Sequence, residues 1–268
     1  MTNKAANNER LLLAVKESKE YSRICDETVL RIISAAAPKY KSDKEALKSV
    51  KATLREISAA FLTEGNLRKA RGILLSINWE NQQDILDKTG HILSLHQSSR
   101  ERLPHFSHMI EDVWRETSFR SVLDIGCGLC PFFIPHMTVL KGVNYYAMDI
   151  HRGAVDLVNM FFDCLSISGC AVAGDILIGT PETQADCAFL FKLLPFIERV
   201  EKGGSKRIIG GLNCDYIAAT FPTRSLSGKN VGMKNTYSAL VRDVLSAFPV
   251  VYEKEYANEI LFILQKSP

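Results

Sequence analysis

The segment Val122–Gly128 constrains the fold of this 268-residue chain more than any other. Its apolar, strand-forming run enters a glycine turn at Gly126-Cys127-Gly128, and a stretch that can form a helix follows. Glycine takes positive φ and lets a backbone approach a ligand closely, so strand, glycine turn and helix in this order are typical of nucleotide-binding α/β sheets. The dinucleotide fingerprint needs a third glycine, and Pro131 stands at that place. The turn therefore favours a ligand other than a dinucleotide.

From Ser121 onward, short apolar or β-branched runs alternate with stretches of helical character, which predicts a parallel sheet with crossover helices. The predicted strands are Ser121–Ile125, Tyr145–Ile150, Cys170–Ile176, Cys187–Leu193 and Ile217–Phe221. Arg207–Leu212 resembles a strand locally, but a parallel crossover needs connecting residues, so Ile197–Leu212 is assigned to an irregular helix. The tail, Val250–Tyr256 and Glu259–Gln265, predicts an antiparallel hairpin.

The N-terminal part of the chain has the pattern of helices. Asp26 is predicted to cap one, Ser42 or Asp43 begins another, and Gly65-Asn66 is predicted to break it. Shorter helices are expected over Leu67–Ser76, Gln82–His96 and Phe106–Glu116. We therefore predict a helical region over residues 1–110 and an α/β domain over residues 111–268.

Composition limits the class of protein. The hydrophobic fraction is 46% and the charged fraction 24%, which suits a globular chain with a real core. The net charge is only +3, but residues 1–110 carry 18 Lys and Arg against 13 Asp and Glu, and the remainder carries 15 against 17. This excess at the N-terminal side is expected if that region docks on phosphate, and a solvated helical face explains it equally well.

Cellular location is inferred from what the chain lacks. The first ten residues are polar, no apolar run reaches transmembrane length, and the seven cysteines suit reduced thiols. We therefore expect a cytoplasmic protein that does not associate with a membrane. The pair Cys127 and Cys130 imitates a zinc or redox motif, but no second pair completes a zinc site, so no metal is expected.

Three carboxylates stand at or near predicted strand ends. Asp124 precedes the glycine turn, where it can meet a ligand ammonium group. Asp149 follows about 20 residues later, where an acid can accept both hydroxyls of a ribose. Asp175 can accept from an adenine amino group. In series after a glycine turn, these acids indicate S-adenosylmethionine (SAM) as the cofactor.

Four further segments resemble the aminoglycoside-resistance 16S rRNA methyltransferases of the ArmA, Rmt and FmrO type. They are Leu95–Arg102, Phe191–Leu194, Glu198-Arg199 and Phe221–Met233. That family methylates N7 of guanine 1405 in the decoding region. The resemblance covers nearly the whole chain. It implies a Rossmann-like class I SAM methyltransferase sheet with an N-terminal helical extension that docks on the 30S subunit, in a protein acting as a monomer.

The resemblance also implies roles for individual residues. Arg102 would bind the SAM carboxylate, Lys192 and Arg199 would lie near the target base or its phosphates, and a loop would close over the flipped guanine. The residues expected on that loop are Arg224, Lys229 and Met233. The expected cofactor-binding set is Arg102, Asp124, Gly126, Gly128, Asp149, Asp175, Ile176 and Phe191.

Guanine N7 carries a lone pair and no proton, so its methylation needs placement and no general base. We therefore assign no residue to proton transfer. Three alternative hypotheses are compatible with the sequence. They are a SAM methyltransferase acting on another RNA or a small molecule, a SAM-fold binding protein without catalysis, and a nicotinamide enzyme, although the missing third glycine opposes the last.

Overall fold

The computed structural model of the chain describes residues 3–59, 62–223 and 246–266. Its N-terminal part is helical, as predicted. The helices there are α1 (Asn3–Lys16), α2 (Asp26–Ala36), α3 (Asp43–Leu54), α4 (Glu64–Leu75), α5 (Gln82–Ser94), α6 (Gln97–Arg102) and α7 (Phe106–Thr117). Ser42 caps α3, since its hydroxyl accepts from the backbone N–H of Glu45, and the helix begins at Asp43, which confirms the predicted start at Ser42 or Asp43.

Two predicted helix boundaries are wrong. Asp26 is the first residue of α2, and the cap position belongs to Cys25, which makes no side-chain capping bond. Gly65 and Asn66 do not break a helix but lie in the first turn of α4. The reason is Thr63, whose hydroxyl accepts from the N–H of Asn66 at 3.1 Å and starts the helix ahead of the glycine.

A seven-stranded sheet forms the centre of the described structure, in the order β3-β2-β1-β4-β5-β7-β6. Its strands are β1 (Ser121–Ile125), β2 (Asn144–Asp149), β3 (Gly169–Ala173), β4 (Ala185–Phe191), β5 (Cys214–Pro222), β6 (Val250–Glu255) and β7 (Glu259–Gln265). The first five pair in parallel, and β7 runs antiparallel to β5 and β6. The predicted parallel sheet that ends in a hairpin is therefore confirmed.

The connections between strands follow the predictions in part. Helix α8 (Arg152–Leu165) links β2 to β3. Two short helices, α9 (Leu194–Val200) and α10 (Gly204–Gly211), link β4 to β5, which confirms that Arg207–Leu212 is not a strand. The helix expected after the glycine turn is replaced by a 3₁₀ segment, Cys130–His136, because Pro131 and Pro135 remove backbone donors.

Two of the three hydrophobic clusters among the described residues determine how the N-terminal helices attach. The first three helices enclose a small core of their own, with Leu11, Val29 and Val50 fully or almost fully buried. Helices α4, α5 and α7 instead pack into the core of the sheet, where Met109 of α7 lies in the same cluster as Phe189 of β4. The cores thus separate between α3 and α4, earlier in the chain than residue 110. Among the described residues, no helix is both long and apolar enough to span a membrane.

Candidate functional site

The candidate site lies where the strand order reverses. Strand β1 pairs with β2 on one side and with β4 on the other, so the crossovers leave a crevice at the carboxyl ends of these strands. Three residues with a predicted function lie at these strand ends. Asp124 is near the end of β1, Asp149 is at the end of β2, and Phe191 is at the end of β4.

The glycine turn after β1 has backbone angles that only glycine adopts easily. Gly126 has φ 70° and Gly128 has φ 51°. A Cβ on Gly128 would also lie 2.8 Å from Cε1 of His96, so the imidazole occupies the space of a side chain there. Burial, and then the charges of Arg102 and Lys192, lower the pKa of His96 to about 3, so this ring is neutral at pH 7.

Asp149 is tied to the turn. Its Oδ2 accepts from the N–H of Gly128 at 2.8 Å, and its Oδ1 accepts from the N–H of His151 at 2.8 Å. Burial raises the pKa of Asp149, and these hydrogen bonds oppose that rise. The two carboxylate oxygens together offer four lone pairs, so the group retains acceptor capacity for a ligand hydroxyl.

Asp124 is the most deeply buried of the three acids. The hydroxyl of Tyr145 donates to its Oδ2 at 2.8 Å. Burial raises the pKa of Asp124 to about 7, although the bond from Tyr145 and the charge of Arg102 act in the opposite direction. A cationic ligand group beside this carboxyl would favour its ionised form.

Arg102 lies close to this carboxyl and has a buried partner that the sequence did not reveal. Its Nε donates to both carboxylate oxygens of Glu259, and its Cζ lies 5.1 Å from the centroid of the Phe191 ring. Nη2 of Arg102 is buried and has no hydrogen-bond partner in the part of the chain that the structure describes. A buried guanidinium nitrogen that lacks an acceptor suits a ligand carboxylate.

Glu259 stays ionised in this surrounding. Burial alone would raise its pKa, but the charge of Arg102, a hydrogen bond from His105, the charge of Lys192 and a hydrogen bond from Thr220 lower it to about 2. The pair therefore remains an ion pair throughout the neutral range.

Lys192 follows β4 with φ 58°, an uncommon conformation for a residue with a side chain. Its N–H donates to the carbonyl oxygen of Thr220 at 3.1 Å and to the Thr220 hydroxyl at 3.0 Å, and its Nζ lies 2.7 Å from Oε2 of Glu101. Bonds at both ends thus hold this residue in a strained backbone conformation at the crevice.

The remaining predicted substrate residues lie on α9 and in the segment of the chain that follows β5. Arg199 is exposed on α9, with its Cζ 5.7 Å from the ring centroid of Phe196. Arg224, Lys229 and Met233 lie outside the described residues.

Asp175 lies two residues beyond β3, whereas the sequence placed it at the end of the strand. The strand ends earlier because its pairing with β2 stops at Asp149 and Ala173. The Oδ1 of Asp175 accepts from the N–H of Leu177 at 3.0 Å, and its Oδ2 accepts from Arg31. Ile176, the next predicted cofactor residue, is buried beside it.

Comparison with known proteins decides the family. A family model described as "Ribosomal RNA methyltransferase (FmrO)" matches residues 17–259. The chain belongs to the FmrO family. The resemblance proposed from the sequence, and the α/β class with an N-terminal helical region, are therefore confirmed.

Three relatives of this FmrO-family protein align with it over nearly their whole length. The 16S rRNA (guanine(1405)-N(7))-methyltransferase of Serratia marcescens is 29% identical, over 96% of this chain and 97% of the relative. The crystal structure of the 16S rRNA methyltransferase RmtF in complex with S-adenosyl-L-homocysteine is 31% identical, with a TM-score of 0.84 and full coverage of both chains. The structure of the 16S rRNA methylase RmtB is 26% identical, with a TM-score of 0.82 over 97% of this chain and 98% of that one.

Several site residues of this FmrO-family chain had not been predicted from sequence. His96 and Glu101 stand inside the segment Leu95–Arg102, which carried the family resemblance, so the signal was present but no role was assigned to them. Glu259 and Arg31 had no local signal, because each acts on a residue far away in the chain.

Proposed function

We propose that this chain transfers the methyl group of SAM to N7 of guanine 1405 of 16S rRNA, in the decoding region of the 30S subunit. The observation that carries the proposal is the placement of Asp124 and Asp149 near the ends of β1 and β2, where the strand order reverses, in a chain whose family match runs from residue 17 to residue 259. Relatives that carry this activity in their names align with 96% of the chain. The expected consequence is resistance to 4,6-linked aminoglycosides such as gentamicin and kanamycin.

The crevice has groups suited to each part of the cofactor, which supplies a methyl group bound to a positively charged sulfur. The unpaired Nη2 of Arg102 suits its carboxylate, and Asp124 suits its ammonium group. Asp149 retains lone pairs for the ribose hydroxyls. The full cofactor-binding set that we propose is Arg102, Asp124, Gly126, Gly128, Asp149, Asp175, Ile176 and Phe191.

The protein's task in the reaction is placement. Guanine N7 has no proton to lose, so the chain must hold the flipped base about 3–3.5 Å from the methyl carbon and in line with the breaking bond. Extracting the base costs a few kcal/mol, which contacts to the nucleotide offset. Asp124 titrates near pH 7 but is buried beside Tyr145, so we propose that it acts in cofactor binding and assign no residue to proton transfer.

Residues near the crevice are proposed to position the target guanine. Lys192 is held at the end of β4, and its ammonium group is paired with Glu101, an acid that a phosphate or a guanine oxygen can replace. We propose Arg199 as a further contact, and Arg224, Lys229 and Met233 on the segment outside the described residues.

The first 110 residues are proposed to dock on the 30S subunit, and residues 111–268 to form the methyltransferase domain, with α4, α5 and Arg102 completing its core and its cofactor site. Helix α3 supports the docking role. Lys44, Lys48 and Lys51 are spaced by four and three residues, so they lie on one face of the helix, opposite the buried Val50 and Ala46. Such a row of cations suits the RNA backbone. Because its substrate is the 30S subunit, we propose that the chain acts in the cytoplasm, as a monomer.

The test is methylation of purified 30S subunits with isotopically labelled SAM, followed by chemical cleavage at 7-methylguanine to map the position. We expect label at guanine 1405 and none in naked 16S rRNA, with Asp149→Ala as the matched inactive control. Label at another position, label only in a small molecule, or SAM binding without transfer would each reject the proposal.

A further inference from the structure

The N-terminal helices touch the cofactor edge of the sheet through the backbone. Ile24 forms an antiparallel bridge with His151, the second residue after Asp149. The N–H of Cys25 donates to the carbonyl oxygen of Ile150 at 2.8 Å. The segment that leads into α2 therefore packs beside the proposed ribose-binding acid, and α2 starts from a fixed position.

Helix α2 also reaches the proposed adenine end of the site. Nε and Nη2 of Arg31 each lie 2.8 Å from Oδ2 of Asp175. The side chain of Asp175 is 3% exposed and that of Arg31 is 24% exposed. Of the two, Nε donates a hydrogen bond to Oδ2, and Nη2 adds its charge to the ion pair. Oδ1 accepts from the N–H of Leu177 and retains one lone pair, which defines the direction from which a further donor can approach.

A partly buried ion pair of this kind adds little net stability, because desolvation offsets the attraction. Its effect is on orientation: the Nε–H of Arg31 binds one carboxylate oxygen and the backbone N–H of Leu177 binds the other, so the two bonds together fix the plane of the carboxylate. A second ion pair, between Arg23 of the N-terminal region and Asp156 of α8, has side chains that are 46% and 59% exposed, and it touches none of the proposed cofactor acids. Arg31 therefore differs from a simple surface tether.

We propose that Arg31 is a positioning residue of the cofactor site, which holds the carboxylate of Asp175 so that Oδ1 accepts from the adenine amino group of SAM. The inference rests on the proposed function and deepens it. It makes the N-terminal bundle part of the cofactor site, so the region that docks on RNA also shapes recognition of the cofactor's base.

The test compares two ligands that differ at the group in question. S-adenosyl-L-homocysteine carries the adenine amino group, and S-inosyl-L-homocysteine carries a carbonyl oxygen in its place. Calorimetry should show that the unaltered protein prefers the adenine ligand about tenfold or more, the value of one hydrogen bond to a charged group. Arg31→Met should reduce that preference to less than about threefold, mainly because it weakens the binding of S-adenosyl-L-homocysteine.

Controls separate positioning from folding. Arg23→Met, which removes the exposed pair, should keep the full preference, and Arg31→Lys should restore part of it. Asp175→Asn should lose the preference as Arg31→Met does, which provides a second route if the latter is poorly folded. An equal loss for both ligands in Arg31→Met, no loss for either, or no preference in the unaltered protein would overturn the inference.

Failure of this inference is distinguishable from failure of the proposed function. The same preparations are assayed for methylation of guanine 1405 in 30S subunits at saturating SAM. Methylation with no ligand preference rejects the role of Arg31 and retains the function, whereas absent methylation in the unaltered protein rejects the function itself.

Discussion

The carboxylate of Glu259 fixes the guanidinium of Arg102, 157 positions away in the chain, with Nε 3.0 Å from Oε1 and 3.2 Å from Oε2. Both residues are buried, at 0% and 3% exposed. Glu259 is the first residue of β7, the strand that turns the parallel sheet into a mixed one. The C-terminal hairpin therefore orients the residue that we propose for the cofactor carboxylate.

Glu259→Gln is expected to destabilise the protein by about 3 kcal/mol at pH 7, because it leaves a buried guanidinium without a counter-charge. The pKa of Glu259 is lowered in the folded state, to about 2. Its stabilisation is therefore fully present above its ordinary value of about 4.5 and is lost as pH falls towards 2. The stability difference between the two proteins should be the same at pH 5 and pH 8.

Urea denaturation measures this, with Glu253→Gln on the exposed face of β6 as the matched control, which should change stability by less than about 0.5 kcal/mol. Equal stabilities for Glu259→Gln and the unaltered protein at pH 7 would contradict the role of the pair.

Asp124→Asn is expected to raise the stability of the ligand-free protein and to lower its affinity for SAM. Burial raises the pKa of Asp124 from 3.8 to about 7. The folded state thus holds the proton more tightly than the unfolded state, and this acid makes the protein less stable as pH rises from about 4 to 7. Asparagine removes that loss of stability. The free energy of unfolding of the variant should therefore exceed that of the unaltered protein by about 1–3 kcal/mol at pH 8 and by little at pH 4.

Affinity should change in the opposite sense. If the ionised carboxylate meets the cofactor ammonium, SAM binding to the unaltered protein should weaken below pH 7, and Asp124→Asn should bind about tenfold more weakly at pH 8. Calorimetry across pH 5.5–8.5 tests this, with the exposed Asp163→Asn as control. An affinity that does not vary with pH, together with full affinity in the variant, would remove Asp124 from the site.

Gly128→Ala should abolish SAM binding, because the added Cβ meets the His96 ring at 2.8 Å and φ is 51°. Gly142→Ala is the matched control, since it has φ 76° but nothing within 4 Å of its Cβ. The control bears only the backbone strain, of the order of 1 kcal/mol, and should bind SAM normally. Thermal melts with and without SAM compare the two. Similar ligand-induced shifts in both variants would show that the contact between His96 and the turn is unimportant.

How much the sequence could predict depends on the range of the interaction. Strands such as Ser121–Ile125 and the hairpin over Val250–Gln265 follow from local periodicity, and the strand-end acids follow from the strands. The 3₁₀ segment Cys130–His136 was missed because a general strand–turn–helix pattern outweighed two visible prolines. The partners of Arg102 and Asp175 could not be predicted, since those pairs form only when distant elements pack together.

The packing of the helices also determines how removal of the N-terminal region should affect folding and SAM binding. The domain boundary predicted at residue 110 implies that a chain starting near Ser107 would fold and bind SAM. The structure favours the opposite, because α4 and α5 fill the core of the sheet and Arg102 precedes that start. We expect such a chain to aggregate or to lose SAM binding in calorimetry. A soluble fragment from Ser107 with full affinity would reject the proposed role of Arg102.

The last prediction separates binding from catalysis at Lys192. Its φ of 58° is equally unfavourable for lysine and methionine, so Lys192→Met removes the charge without changing the backbone strain. If the residue holds the flipped guanine, SAM affinity should stay within about twofold. Binding to 30S subunits should fall only modestly, because most affinity comes from distributed phosphate contacts. Single-turnover methylation should fall about a hundredfold or more.

Filter binding to 30S subunits and single-turnover methylation are measured on the same preparations, with Lys202→Met on the exposed surface between α9 and α10 as control. Met233→Ala, outside the described residues, should behave like Lys192→Met, and both should leave cells sensitive to gentamicin. Because the reaction needs no base, the rate of Lys192→Met should not recover at higher pH. If methylation falls only in proportion to 30S binding, Lys192 is a docking contact and the target guanine does not lie at the end of β4.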